Sequence, residues 1–315
     1  MNTSANARGQ QRWPLRLVLS FVLLLLLIAG WWLRPTAPRA HALAPSTTSA
    51  VATTTPTSVV APRIAVVNQP LANTLALNEP AHGCGFAMAP SPTRVVGHCT
   101  VLEIGDSLGN DLGWGLSREL AATHSLGLVQ EDLSSSGLVT QWFYNWPANL
   151  KKFLARYHPD LVVVCLGAND QQSLVVHGHA TSFNEPAWRT RYQQLIRQID
   201  TLVVRAHAYV LWVGLPIMAP ITYREGTVVL NSLYRSVAQT QPGVTFLPTW
   251  SLLASPSGDF QNAASVNDAR AVLRATDGIH LSRAGEDVMA TYVTTEIAAL
   301  YHVKVRPALP THLTP

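Results

Sequence analysis

From residue 98 onward, short apolar runs alternate with longer segments that carry the spacing of amphipathic helices. Strands are predicted at five apolar runs, 101–104, 126–130, 160–167, 208–216 and 244–248. Helices are predicted between and after these runs, over 108–122, 146–157, 186–206, 224–240 and 283–301. Because strands that alternate with helices form βαβ units, the pattern predicts an α/β fold with a largely parallel sheet.

Four short blocks of polar and small residues follow the predicted strands. They read GDSL at 105–108, SSSGL at 134–138, GAND at 167–170 and DGIH at 277–280. The carboxyl ends of parallel strands meet at one edge of a sheet, and ligands bind there. We therefore expect the four blocks to form one site.

The first and last blocks contain the residue types of a hydrolytic triad. The Ser107 hydroxyl is a weak nucleophile until a base removes its proton, and the imidazole of His280 is suited to that role. Asp277, three residues upstream, can hold the second ring nitrogen of His280. These three residues are the predicted catalytic groups.

The middle blocks can supply donors for a tetrahedral oxyanion. The predicted donors are the backbone N–H groups of Ser107 and Gly137 and the side-chain amide of Asn169. Plainer interpretations stay open, in which Asn169 belongs to a strand-exit turn and Gly137 is a hinge with positive φ. Asp106 is predicted to organise the local backbone and not to act as an acid or base.

The four blocks together resemble the signature blocks of the SGNH hydrolases, also called the GDSL esterase/lipase superfamily. The resemblance covers about residues 98–302, and each key position matches. It implies a flavodoxin-like three-layer α/β/α fold with strand order 2-1-3-4-5. It also implies Ser107, Asp277 and His280 as the triad and Ser107, Gly137 and Asn169 as the oxyanion hole, with no cofactor.

An uncharged apolar run at 17–33 lies between Arg16 and Arg34. Its length is sufficient for a transmembrane anchor, and the arginines before it favour a cytoplasmic N-terminus over 1–16. A cleaved signal peptide is the alternative, since Ala40-His41-Ala42 resembles a cleavage site.

The rest of the chain divides into three further predicted segments. Residues 34–95 are rich in Pro, Thr, Ser and Ala and are predicted to be a linker and lead-in. The hydrolase domain is expected over 96–303 and a C-terminal tail over 304–315.

The net charge of +4 comes from the N-terminal part of the chain. Residues 1–78 hold six Arg and no acidic residue, which leaves 16 basic against 18 acidic residues in the remainder. The globular region therefore has no basic excess to favour nucleic acid as a partner.

Cysteine and histidine positions suggest structural roles. Cys84 and Cys99 are candidates for a disulfide in an oxidising compartment, with two unpaired thiols as the alternative. Cys165 lies in an apolar run and is predicted to be a small core residue. His177 and His179 lack further nearby ligands, so we predict no metal site.

An aromatic stretch follows the second block. Trp142, Tyr144 and Trp146 are predicted either to line a substrate cleft by stacking on sugar rings or to pack the second helix. The sequence does not choose between these interpretations.

Three functions remain open on the sequence. The first is a bacterial membrane-anchored esterase whose periplasmic domain removes small O-acyl groups from envelope or extracellular polysaccharide. The second is an O-acyltransferase that moves the acyl group from a membrane acyl-donor protein to a glycan hydroxyl. The third is a non-catalytic envelope-assembly or glycan-binding module, for which a missing triad residue is expected, and none is missing.

Overall fold

The computed structural model describes residues 99–121, 123, 125–301 and 313–314. The predicted segments 1–16, 17–33 and 34–95, together with Cys84, lie outside these residues, as does most of the predicted tail. No helix within the described residues has the length and apolar character needed to cross a membrane. The anchor at 17–33 therefore stays a prediction.

The described strands include the five that the apolar runs predicted. In chain order they are β1 (Cys99–Gly105), β2 (Leu126–Asp132), β3 (Leu161–Cys165), β4 (Leu174–Val176), β5 (His179–Thr181), β6 (Tyr209–Val213), β7 (Val244–Leu247), β8 (Ala263–Val266), β9 (Ala269–Val272) and β10 (Leu313–Thr314). The main sheet is parallel throughout and has the order β2-β1-β3-β6-β7. Counted within that sheet, this is the order 2-1-3-4-5, which confirms the expected topology.

Five helices cover the main sheet. They are α1 (Ser107–Leu120), α2 (Trp146–Tyr157), α3 (Pro186–Arg205), α4 (Ile221–Ala238) and α5 (Arg283–Tyr301). The connection from β1 leads to β2 at one edge of the sheet, whereas the connections to β3, β6 and β7 proceed toward the other edge. Right-handed connections therefore place α1 on one face and α2, α3 and α4 on the other. Helix α5 packs on α1, which completes three layers around the wholly buried strands β3 and β6.

Two antiparallel hairpins were not predicted from the sequence. In one, β4 and β5 join at His177 and Gly178, and in the other β8 and β9 join at Asn267 and Asp268. All four turn residues have positive φ, between 49° and 83°. These strands are three or four residues long, and most of their residues are half-buried or exposed, so they lack the apolar runs by which strands were recognised.

Candidate active site

The turn between β1 and α1 presents Ser107 at the carboxyl edge of the sheet. Asp106 caps α1, and its Oδ1 accepts a hydrogen bond from Leu108 N at 2.9 Å. A Cβ at Gly105 would lie 2.4 Å from Gly109 Cα and 2.7 Å from the carbonyl oxygen of Cys165. Only glycine therefore permits this sharp turn, which places Ser107 in the first turn of the helix.

His280 lies between Ser107 and Asp277. Its Nε2 is 2.8 Å from Ser107 Oγ, and its Nδ1 is 2.6 Å from Asp277 Oδ2. The other oxygen of Asp277 accepts the backbone N–H groups of Ile279 and His280, at 2.8 and 3.0 Å. Asp277 thus fixes both the ring and the backbone of the base.

The electrostatic surroundings keep Asp277 ionised. Its partial burial raises the pKa of the carboxyl group, but the hydrogen bonds from the His280 ring and from two backbone N–H groups outweigh that effect. The net result is a pKa below the ordinary value of Asp. A charged carboxylate is what an imidazolium ion needs beside it.

The predicted oxyanion donors lie at the ends of three neighbouring strands. Asn169 donates one N–H of its amide to the carbonyl oxygen of Ser136, at 2.9 Å, which leaves its second N–H available. Within the part of the chain that the structure describes, the N–H of Gly137 has no acceptor. Ser107 begins a helix, so its N–H has no intrahelical acceptor.

Asp106 connects the nucleophile turn to the segment that carries Asn169. Its Oδ2 accepts hydrogen bonds from Gly167 N and Ala168 N, both at 2.9 Å, and the side chain is fully buried. Burial raises the pKa of Asp106 to about 7, although the backbone hydrogen bonds act in the opposite direction. These contacts are those of a backbone organiser, the role predicted from the sequence.

Two residues that hold the backbone on either side of His280 were not predicted from the sequence. Asp111, on α1, accepts the backbone N–H of Leu281 at 2.8 Å. Arg274, which is buried, donates to the carbonyl oxygens of Ile279 and Ile217. Asp111 is a polar residue within the buried face of α1, and this pattern could have identified it from the sequence. Arg274 gave no such signal, because its partners are known only from the fold.

The aromatic stretch divides between core and surface. Trp146 is fully buried and donates its indole N–H to Ser136 Oγ, so of the two interpretations the cleft-lining one is wrong for this residue and the packing one is right. Tyr144 is half-buried and packs edge-on against Trp146, with 4.8 Å between the ring centroids. Trp142, by contrast, is 86% exposed and free to meet a ligand.

The remaining sequence candidates take no part in the hydrogen bonds of the triad. Cys99 is disulfide-bonded, but Cys84 lies outside the described residues, so the pairing of the two stays a prediction. Cys165 is a buried free cysteine in β3. His177 lies in the turn of the β4–β5 hairpin and His179 begins β5. The described residues contain no group of three His, Cys, Asp or Glu that could hold a metal ion.

One family of proteins matches this chain over most of its described residues. The family model described as "Protein of unknown function (DUF459)" matches residues 100–296. A comparison with curated proteins found no match.

Several solved structures are similar to the chain at low sequence identity. An alpha/beta hydrolase from the metagenome of Lake Arreo, Spain, is 16% identical with a TM-score of 0.48, over 65% of this chain and 98% of that one. A GDSL-like lipase from Bacteroides thetaiotaomicron is 16% identical with a TM-score of 0.44, over 64% and 88%. A catalytic mutant of an acetylxylan esterase from Geobacillus stearothermophilus is 15% identical with a TM-score of 0.42, over 64% and 95%.

Proposed function

We propose that this chain, which belongs to the family described as DUF459, is a serine ester hydrolase of the SGNH type. Hydrogen bonds connect Ser107 to His280 and His280 to Asp277. The observation that carries this proposal is the position of His280. One ring nitrogen reaches the serine hydroxyl at 2.8 Å and the other reaches the carboxylate at 2.6 Å. This is the arrangement in which an imidazole activates a serine.

The proposed reaction proceeds through an acyl-enzyme. Ser107 Oγ attacks the ester carbonyl carbon while His280 Nε2 takes the hydroxyl proton, and Asp277 stabilises the imidazolium ion. The oxyanion is bound by the N–H groups of Ser107 and Gly137 and by the amide of Asn169. His280 then returns the proton to the leaving alcohol. Water, deprotonated by His280, then attacks the acyl carbonyl carbon, and the protonated His280 returns the proton to Ser107 Oγ as its bond to the acyl carbon breaks and the acid leaves.

The exposure of the site leaves room for a large alcohol. The side chains of His280 and Asp277 retain 36% and 44% of their accessible surface, so water can reach an acyl-enzyme and a bulky alcohol can remain outside. Exposed Trp142 offers an aromatic face on which a sugar ring can stack. We propose O-acyl groups, acetyl above all, on envelope or extracellular polysaccharide as the substrate.

The cellular setting is also a proposal. Residues 17–33 would anchor the chain in the bacterial inner membrane, and the linker over 34–95 would let the domain reach glycans in the periplasm. Transfer to a glycan hydroxyl begins with the same attack by Ser107. The exposure of His280 to solvent supports water as the acceptor.

Turnover by the full-length chain, purified in mild detergent, tests the proposal. We expect hydrolysis of nitrophenyl acetate and of O-acetylated oligosaccharides, and no turnover after Ser107→Ala. Ser232→Ala, which changes an exposed serine on α4, is the matched control and should keep full activity. Activity that survives Ser107→Ala contradicts the assignment. Mass spectrometry of the oligosaccharides with and without an acceptor separates acyl loss from acyl transfer.

A further inference from the structure

Asp170 contacts the backbone on the far side of Gly137 from Asn169. Its Oδ2 accepts a hydrogen bond from Leu138 N at 3.0 Å, and its Oδ1 accepts one from Val139 N at 2.9 Å. Asn169, the preceding residue, donates to the carbonyl oxygen of Ser136. Two consecutive side chains therefore hold the backbone before and after Gly137, and among the described residues the N–H of Gly137 between them has no acceptor.

The contact with Asp170 also explains why position 137 is a glycine. A Cβ at Gly137 would lie 2.2 Å from Asp170 Oδ1. Gly137 is not among the residues with positive φ, so its requirement is one of space and not of backbone conformation. The hinge interpretation of Gly137 is therefore wrong. The carboxyl group of Asp170 packs directly against the proposed oxyanion donor.

A buried tyrosine, Tyr192, holds Asp170 from the other side, and a second, Tyr234, lies next to it. Tyr192, on α3, donates its hydroxyl to Asp170 Oδ2 at 2.7 Å. The Tyr234 hydroxyl, on α4, lies 2.8 Å from the Tyr192 hydroxyl and 2.9 Å from the carbonyl oxygen of Leu166, and it can donate its one proton to either oxygen. Asp170 and both tyrosines are fully buried. The position of Asp170 is thus set by two helices and by the end of β3.

We infer that Asp170 is a positioning residue of the oxyanion hole, which fixes the Gly137 N–H toward the reacting carbonyl, and that Tyr192 fixes Asp170 in turn. This inference rests on the proposed function, because it assigns a role within that same site. Asp170 contacts neither the nucleophile nor the base in the structure, so its effect must pass through the backbone of residues 137–139.

Two substitutions separate positioning from stability. Asp170→Asn puts an amide NH2 against one of the two backbone N–H groups, so the Gly137 donor shifts. Since loss of one oxyanion donor costs about 10²–10³-fold in kcat, we expect a fall of at least about tenfold, with KM changed less than about threefold. Tyr192→Phe leaves both backbone contacts in place and should lower kcat by a smaller factor, about two- to fivefold.

A matched control is available at the opposite edge of the sheet. Asp160 is also buried and accepts a backbone N–H, that of Thr100, at 2.8 Å. Asp160→Asn should lower the thermal stability to a similar extent without changing kcat. The comparison removes destabilisation as an explanation for lost activity.

The deciding experiment measures kcat, KM and the inhibition constant of a trifluoromethyl ketone on the full-length chain and its variants. The ketone adduct carries an oxyanion, so Asp170→Asn should weaken inhibition by about the same factor as it lowers kcat/KM, whereas Asp160→Asn should leave both unchanged.

Unchanged kcat and inhibition in Asp170→Asn, or equal losses in Asp160→Asn, overturn the inference. If Asp170→Asn does not fold, Tyr192→Phe decides, and full activity in that variant overturns the inference. A wild-type chain that neither hydrolyses esters nor binds the ketone overturns the proposed function itself, and the inference with it.

Discussion

Nε2 of His280 lies 2.8 Å from Oγ of Ser107, although 173 positions separate the two residues in the chain. The packing of α1 against α5 sets this distance. Gly115 lets the two helices approach closely, because a Cβ there would lie 2.4 Å from the carbonyl oxygen of Glu286. Arg118 on α1 adds ion pairs to Glu286 and Asp287 on α5. The base is therefore carried to the nucleophile by the helix pair on one face of the sheet.

Asp277→Asn should lower kcat by about 10²–10⁴-fold, because an amide cannot stabilise the imidazolium ion or hold its tautomer. The pKa of Asp277 lies below the ordinary value, so the carboxylate is already charged at pH 5 and above. Raising the pH should therefore not restore the variant. Initial rates with nitrophenyl acetate from pH 5 to 9 check this. A variant within threefold of wild type at any of these pH values would exclude the assigned role.

Asp111→Ala should weaken both the fold and the reaction. The change leaves the backbone N–H of Leu281 without its acceptor, which costs about 1–3 kcal/mol of the free energy of unfolding. Because Leu281 follows His280, kcat should fall more than KM rises. Urea denaturation and steady-state kinetics measure the two effects. The exposed Asp259→Ala is the control, with an expected change within about 0.5 kcal/mol.

Gly137→Ala should remove most of the activity at nearly constant KM. The added methyl group cannot fit against Asp170 Oδ1, so the residue 137 N–H must move, with an expected loss of about 10²-fold or more in kcat. Circular dichroism establishes that the variant is folded before its kinetics are compared. An unchanged kcat would show that this N–H does not bind the oxyanion.

Glu103→Gln should stabilise the chain more as the pH rises. Burial, and then the neighbouring carboxyl group of Asp132, raise the pKa of Glu103 well above 4.5, its ordinary value. The folded state therefore holds a proton that the unfolded chain releases above pH 4.5, and stability falls from that pH up to the folded pKa. Glutamine has no such proton. The gain in Tm for Glu103→Gln should be larger at pH 8 than at pH 4, and a gain that does not depend on pH would contradict this account.

Trp142→Ala should affect polymeric substrates alone. If Trp142 stacks on a sugar ring, its loss costs about 1 kcal/mol, roughly a fivefold rise in KM for O-acetylated oligosaccharide. Kinetics with nitrophenyl acetate should not change. Trp114→Ala removes another exposed tryptophan, from α1, and should leave both substrates unaffected. Equal KM values for oligosaccharide in all three proteins would remove Trp142 from the site.

The main sheet could be predicted because its signals are local. Strands β3 and β6 are buried on both faces and read as continuous apolar runs. The blocks at 105–108, 167–170 and 277–280 contain residue types that occur both in turns and in catalytic sites. Their positions after strands indicated that they meet at the carboxyl edge of the sheet. The short hairpins lack such runs, because their strands have only three or four residues and few of these are buried.

The supports of the site could not be predicted because their partners are distant in sequence. Asp170 and Tyr192 are 22 positions apart, and Asp111 and Leu281 are 170 apart. The role of a buried carboxylate becomes clear only when the groups that donate hydrogen bonds to it are known. Trp146 shows the opposite problem, since an aromatic residue near an active-site loop has the same sequence pattern whether it lines a cleft or fills the core.

Covalent labelling tests the central claim most directly. The full-length chain is treated with a fluorophosphonate, and the modified peptide is identified by mass spectrometry. We expect one phosphonyl group, on Ser107. It should form quickly in the wild type and at least about 10²-fold more slowly in His280→Ala, because the imidazole must take the serine proton. A label on another residue, or a labelling rate at Ser107 that does not depend on His280, would contradict that claim.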